Sequence, residues 1–299
     1  MICFTRKLSV TLGVICLSAA LAAPVVAAES LHHVHGLAYS ADGKQLFIPA
    51  HYGIAVYNNG RWSKAPGPDH DYMGFSVTKE YFYSSGHPAQ GTDLVNPLGL
   101  MRSRDAGRSW DKRGLEGEAD FHLLATSYGA NAVYVFNHHP NSRMKKNGIY
   151  ATVNQGFSWR RAEAKGLDGD HISLAVHPTD NQVVAAATKS GGYVSSDGGD
   201  NFRPLIKGEQ TLAVFFDHDG TNLWVSTYAG KPLLGRVEWK TGNNTNIALP
   251  PLERDAVAYV SQNPANRSEY AIATFERSVF VSKDQGKNWK QIADRGQTK

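Results

Sequence analysis

Four stretches of the chain carry one pattern: SRDAGRSW at 103–110, TVNQGFSW at 152–159, SSDGGDNF at 195–202 and SKDQGKNW at 282–289. Each fits S/T-x-D/N-x-G-x-x-W/F, and their first residues are separated by 49, 43 and 87 positions. The last separation is about two periods, so a further copy of the pattern is expected between 195 and 282. EWKTGNNT at 238–245 lies at that position and retains the glycine, Gly242. Self-similarity at a fixed period indicates a repeat architecture. We call the four stretches the repeat turns.

The residues around the repeat turns predict short β-strands bounded by turn residues. Six apolar runs open successive units: HVHGLAYS, YMGFSV, FHLLATS, HISLAVHP, TLAVFFDHD and AVAYVSQNP. A second run follows each, a third strand leads into the turn and a fourth leaves it, which gives six units of about 44 residues. Four-stranded units repeated radially form a β-propeller. We therefore predict an all-β chain whose residues 29–299 form one six-bladed propeller domain.

The repeat turns resemble the Asp-box, or BNR repeat. HVHGLAYS, HDYMGF and SSGHP resemble motifs of secreted bacterial Asp-box propellers, which are described as glycosyl hydrolase-like and are related to the sialidase superfamily. In an Asp-box the Ser/Thr and Asp hydrogen-bond the turn backbone, the glycine takes a positive φ and the aromatic ring packs between strands. We therefore expect a structural role for the repeat turns.

The N-terminus predicts export. Arg6 and Lys7 precede an apolar stretch at 8–22, and a small-residue cleavage site ends at Ala28, which is typical of a secretory signal peptide at 1–28 and too short for a membrane span. Its removal takes away two of 31 basic groups and none of 27 acidic ones, so the net charge falls from +4 to +2. We expect a periplasmic or secreted monomer that neither binds nucleic acid nor spans a membrane.

Nine of the twelve histidines are predicted to lie on one face of the propeller. In an antiparallel blade the start of strand one and the end of strand two share a face, opposite the turn that joins strands three and four. We call the first the histidine face and the second the repeat-turn face. The nine are His33, His35, His51, His70, His87, His122, His138, His139 and His171. The long loops at 87–97 and 138–147 fall on the same face, and long loops on a rigid scaffold often bind ligands.

An imidazole-rich site predicts a transition-metal ion. His33 and His35 are two positions apart on an extended segment, so their side chains share a side and could hold one ion. Strand-one openings line the central channel, so we predict metal ligands at its mouth from neighbouring blades: His33, His35, His70, His122 and His171. The histidines at second-strand ends are expected to face the ligand: His51, His87, His138 and His139. Copper or zinc, and also nickel, would suit such a site.

Two other functions remain open. A carbohydrate-active hydrolase acting on a small glycan would need two carboxyl groups beside the sugar bond. The candidates are Asp71, Asp120, Asp170, Asp255 and Glu276. The resemblance to sialidases implies an arginine triad, but few arginines fall on the histidine face. Arg254 and Arg277 are the best candidates, and NFRPL at 201–205 follows a repeat turn. The third possibility is a propeller that binds a protein partner without chemistry.

Overall fold

The computed structural model describes residues 30–299, and the predicted signal peptide at 1–28 lies outside them. Within this range the chain forms strands and no helix. Six antiparallel sheets each take their strands in sequence order, which confirms the six-bladed β-propeller. No helix long and apolar enough to cross a membrane occurs within residues 30–299.

The strands follow the chain from blade to blade. Blade 1 contains β1 (Ala38–Tyr39), β2 (Leu46–Ala50), β3 (Gly53–Asn58) and β4 (Arg61–Lys64). Blade 2 contains β5 (Asp71–Val77), β6 (Phe82–His87), β7 (Met101–Ser103) and β8 (Asp111–Lys112). Blade 3 contains β9 (Leu124–Thr126), β10 (Val133–Asn137), β11 (Gly148–Thr152) and β12 (Arg160–Arg161). Blade 4 contains β13 (His171–Val176), β14 (Val184–Thr188), β15 (Gly191–Ser195) and β16 (Arg203–Lys207). Blade 5 contains β17 (Gln210–Phe216), β18 (Asn222–Tyr228), β19 (Pro232–Glu238) and β20 (Asn244–Asn246). Blade 6 contains β21 (Val257–Gln262), β22 (Tyr270–Thr274), β23 (Val279–Ser282), β24 (Lys290–Asp294) and β25 (Gln297–Thr298).

The hydrophobic core lies between the blades. Residues 30–299 contain six apolar clusters, and each takes its side chains from two neighbouring blades. Side chains alternate between the two faces of a strand, so a blade that buries both faces must pack against a neighbour on each side. Blades 6 and 1 close the ring, where the Trp62 indole donates to the Ile292 carbonyl at 3.2 Å and Ser30 bridges to Gln297.

The repeat turns share one hydrogen-bond network. In the turn at 282–289, the Ser282 hydroxyl donates to Asp284 at 2.8 Å and accepts from the Gly286 amide at 2.8 Å. The Asp284 carboxylate also accepts from the Asn288 amide at 2.9 Å, and Gly286 has a φ of 81°. The turns at 103, 152 and 195 repeat these bonds within 0.2 Å. The predicted structural role of these turns is confirmed.

The degenerate copy of the repeat at 238–245 lies at the position that the repeat period predicts. Residues 239–243 form the turn between β19 and β20, Gly242 has a φ of 84°, and Thr241 donates to Glu238 at 2.8 Å. Blade 1 connects β3 to β4 through only Asn59 and Gly60, both at positive φ. A two-residue turn of this kind needs no side-chain network to hold it.

Candidate metal centre

The strand ends place histidines at one face of the disc. His35 precedes β1, and its amide donates to the Pro49 carbonyl at 3.0 Å, which joins the segment to the end of β2 beside His51. His87 ends β6, His122 lies two residues before β9, and His171 begins β13. The repeat turns connect the third and fourth strands at the opposite face.

The first group consists of His33, His35 and His51. One ring nitrogen from each lies within 4.8 Å of the other two. The rings of His33 and His35 are stacked at 12° with centroids 5.7 Å apart, and His51 lies 4.2 Å from His33 and 5.0 Å from His35. The Asp71 carboxylate completes the group, 3.5 Å from His35 Nε2 and 3.5 Å from His51 Nδ1.

Two atoms at the centre of this group have no hydrogen-bond partner. His35 Nε2 and Asp71 Oδ1 are both buried and both unpaired within the part of the chain that the structure describes. Buried polar atoms are nearly always hydrogen-bonded, and an unpaired one costs about 1–3 kcal/mol. These two atoms are therefore suited to a species that binds between them.

Electrostatics keep His35 neutral. Burial, followed by the neighbouring charges of His51 and His33, lowers the pKa of His35 to about 4. Burial, followed by the charge of His51, also lowers the pKa of His33. Metal ions bind the neutral imidazole, so this environment keeps a lone pair available at neutral pH.

The donor set fits zinc or copper, but at wider spacing than a bound ion needs. Imidazole nitrogens about 2.1 Å from a tetrahedral zinc lie about 3.4 Å apart, and those of the first group lie within 4.8 Å of one another. The exposed side chain of His33 can shorten this distance by rotation. The three imidazoles therefore have the donor types of a transition-metal site, and a bound ion would draw their nitrogens closer together.

A second group consists of His87, Asp120 and His122, again with ligand atoms within 4.8 Å. Asp120 Oδ2 lies 2.7 Å from His122 Nε2 and 3.2 Å from His87 Nε2. The hydrogen bond that His122 donates to the Asp120 carboxylate raises the pKa of His122. The charge of His122 lowers the pKa of His35, so the two groups act on each other.

Two glycines of blade 2 permit close backbone contacts near the two groups, one within blade 2 and one between blades 2 and 3. Gly86, at a φ of 121°, lets the Asp71 carbonyl approach to where a Cβ would be only 1.9 Å from it. Gly74, at a φ of 51°, admits the Phe121 carbonyl in the same way, at 1.8 Å. A side chain at either position would displace Asp71, or the segment that carries Asp120 and His122.

The remaining predicted histidines lie outside both groups. His70 is buried, and its Nδ1 accepts from the Ala89 amide at 3.0 Å. The ring of His171 packs 4.4 Å from Phe136, which also contacts His138 at 4.8 Å. His139 is exposed beside His138, with ring centroids 6.5 Å apart. The nine histidines therefore do not meet at one point.

Of the five candidate carboxylates, two lie beside the histidine groups and three lie outside them. Asp71 and Asp120 lie among the histidines, and each has one buried oxygen without a partner in residues 30–299. Asp170 pairs with Lys189 at 2.8 Å, and Asp255 accepts from the Ala256 and Glu276 amides at 2.8 and 3.0 Å. Glu276 itself is exposed.

Sequence reasoning placed His51 and His87 on the ligand-facing side and Asp120 among the candidate carboxylates, but it did not foresee that they join the two groups. The signal was present in strand pairing, because the start of one strand faces the end of the next. Asp71 is the register partner of His87, and the His35 amide bonds the strand end beside His51. Pairing strand-one openings with strand-two ends within a blade would have found His51 beside His35, but not the contact of His87 with Asp120, which joins blades 2 and 3.

Both groups border one cavity of about 200 Å³ at the axis of the propeller. First strands of all six blades line it, and His35 and His122 are among the lining residues. His218 lies in the strand-one turn at its other end, where its Nε2 bonds the Gln262 carbonyl at 3.1 Å. The predicted channel mouth is therefore a real feature, with one histidine from each group at its rim.

Comparison with known proteins supports the fold. No protein-family model matches the chain, and no curated protein has a matching sequence. Among solved structures, the GH74 enzyme of Niastella koreensis matches with a TM-score of 0.59 and 15% identity over 89% of this chain and 46% of that one. This chain thus spans about half the length of that enzyme.

Two further structures match over most of their own length. YCF48 bound to D1 peptide has a TM-score of 0.53 and 17% identity, covering 88% of this chain and 82% of that one. An oligogalacturonate lyase in complex with manganese has a TM-score of 0.55 and 12% identity, covering 88% and 77%. The chain therefore shares the β-propeller fold of glycosyl hydrolase-like and peptide-binding proteins.

Proposed function

We propose that this protein is an exported propeller that binds one transition-metal ion, zinc or copper, through His33, His35 and His51. The observation that carries the proposal is the buried, unpartnered pair of His35 Nε2 and Asp71 Oδ1, 3.5 Å apart inside a group of three imidazoles. A cation between them satisfies both atoms at once.

The chemistry of the group favours a borderline cation over a hard one. Three imidazoles and one carboxylate are donors that zinc and copper accept, whereas calcium and magnesium prefer oxygen ligands. The same fold has been determined in complex with manganese in the oligogalacturonate lyase, so a propeller is compatible with a bound metal ion. The ion would serve metal handling or metal-assisted chemistry in the cell envelope.

The test is elemental analysis of the mature protein, purified from the periplasm without a histidine tag. We expect near-stoichiometric zinc or copper in the wild type and its loss in the His33→Ala/His51→Ala double variant. His32→Ala is the matched control, because His32 is an exposed neighbour that belongs to neither group. Retention of the metal by the double variant, or none in the wild type after reloading, would contradict the proposal.

A carbohydrate-active hydrolase is the second candidate. The observation that favours it is that Asp71 and Asp120 lie in neighbouring groups at one channel mouth, each with an unpartnered buried oxygen. Glycoside hydrolysis uses two carboxyl groups, one of them as a proton donor. Turnover of aryl glycosides that disappears in both Asp71→Asn and Asp120→Asn would support this function, whereas turnover that survives either change would reject it.

A further inference from the structure

We propose that His87, Asp120 and His122 form a second metal site, separate from the first and beyond the function proposed above. The two ligand sets share no residue, and His35 and His122 place them on the rim of the same cavity. The histidine face would then hold two ions side by side.

His87 is oriented by a partner outside the group. Its Nδ1 lies 2.7 Å from Asn96 Oδ1, which belongs to the long loop between β6 and β7. Metal-binding histidines typically donate their other ring N–H to an oxygen acceptor, which fixes the tautomer and the direction of the ligand lone pair. Asn96 supplies this contact to His87.

Asp120 and His122 are held by the neighbouring blade. The amide of Phe121, between them in sequence, donates to the Ser85 hydroxyl at 3.0 Å. Phe121 is fully buried, while Asp120 and His122 project at the rim. The segment is therefore anchored at its centre and presents its two polar side chains toward His87.

The hydrogen-bond pattern leaves room for a cation. In the tautomer that donates from Nδ1 to Asn96, His87 presents the Nε2 lone pair to Asp120 Oδ2, 3.2 Å away. A lone pair and a carboxylate oxygen repel each other unless a positive species lies between them. Asp120 Oδ1 is also buried and has no partner within residues 30–299.

The donor set defines the class of ion. Two imidazoles and a carboxylate bind a divalent borderline cation such as zinc and leave coordination positions open. His87 and His122 have side chains 42% and 51% exposed, so solvent or a small ligand can reach those positions. In the first group, by contrast, the most buried histidine side chain, that of His35, is 13% exposed.

The test is zinc stoichiometry of the metal-stripped mature protein after equilibration with zinc chloride. We expect two zinc ions in the wild type, one in His87→Ala/His122→Ala, one in His33→Ala/His51→Ala and none in the fourfold variant. His138→Ala is the control, because it lies on the same face but outside both groups. Circular dichroism of each variant establishes that the propeller remains folded.

An additional variant separates a metal site from a hydrogen-bonded cluster. Asn96→Ala removes the partner of His87 Nδ1 while leaving all three ligands, so we expect the affinity of the second zinc to fall about 10–100-fold and the first to be unchanged. One zinc in the wild type that survives the His87/His122 change would overturn the second site alone. One zinc lost only in that variant would instead overturn the first site.

Discussion

The repeat turns and the histidine groups, on opposite faces of the propeller, differ in how fully their polar side chains are hydrogen-bonded. On the repeat-turn face, the Ser282 hydroxyl and Asp284 carboxylate bond each other and the turn backbone, and three other turns repeat the same network. On the histidine face, buried atoms of His35, Asp71 and Asp120 lack partners among the described residues. Satisfied polar networks stabilise a fold, while unsatisfied ones destabilise it and are retained where something else binds. The contrast is between the hydroxyl–carboxylate networks of the turns and the histidine–aspartate groups; other buried atoms, such as Trp159 Nε1 in a repeat turn, also lack partners within residues 30–299.

The largest expected effect concerns a buried carboxylate at the repeat-turn face. Asp217 follows β17, is fully buried, accepts from Trp224 at 2.7 Å and from Tyr270 at 2.8 Å, and pairs with Arg236. Burial raises the pKa of Asp217 and the Arg236 charge opposes this. Asp217→Ala should cost about 3–5 kcal/mol, because it leaves these partners unsatisfied.

Denaturant unfolding measures this cost, with Asp219→Ala as an exposed control two residues away. The folded variant should still bind metal with wild-type stoichiometry, because the network contains no residue of either histidine group. A loss below about 1 kcal/mol would show that the network does not carry the stability assigned to it.

A single hydroxyl of a repeat turn should have an intermediate effect. Ser282 is buried and is the acceptor for the Gly286 amide at 2.8 Å. Ser282→Ala leaves that amide without its partner, so we expect a loss of about 1–3 kcal/mol in the free energy of unfolding. Ser63→Ala, on the exposed β4, serves as the control and should change it by less than about 0.5 kcal/mol. Equal effects of the two changes would contradict a structural role for the turn.

On the histidine face, the expected change is in affinity and not in stability. Asp71→Ala removes the carboxylate 3.5 Å from His35 and from His51, so zinc affinity at the first site should fall about 10–100-fold, or about 1.4–2.7 kcal/mol. Calorimetric titration measures it, with Asp170→Ala as an exposed control on the same face. Stability without metal should remain equal or increase, because an unpaired buried oxygen is removed. A marked loss of stability would place Asp71 with the structural carboxylates.

The smallest effect is a pH dependence of the repeat turns. Hydrogen bonds from Asn201 lower the pKa of Asp197 to about 2, and those from Asn288 do the same for Asp284. A depressed carboxylate pKa contributes stability above its unfolded value of 3.8, and this contribution is lost as pH falls toward 2. Thermal unfolding should therefore show declining stability from pH 4 to pH 2, less steeply in Asp197→Asn/Asp284→Asn. An unchanged slope in that variant would show that other carboxylates dominate acid unfolding.

The sequence by itself determined the fold of this protein. Each repeat turn needs a hydroxyl, a carboxylate or amide, and a glycine at fixed spacing within eight residues. Because these requirements are local, the sequence alone shows them. The six apolar runs and the degenerate copy at 238–245 predicted the number of blades that the structure contains. The location of His35 and His122 at the channel mouth followed from the direction of the strands.

Only the tertiary structure decided which polar residues meet. His51 joins His33 and His35, while His87 joins Asp120 and His122 across the boundary of blades 2 and 3. His70 and His171 occupy comparable strand positions, yet bond the Ala89 amide and pack on Phe136. The difference depends on close backbone approaches at Gly74 and Gly86, and on side-chain torsions, neither of which a repeat pattern encodes. Contacts between blades arise from packing between distant segments, so their geometry appears only once the ring is closed.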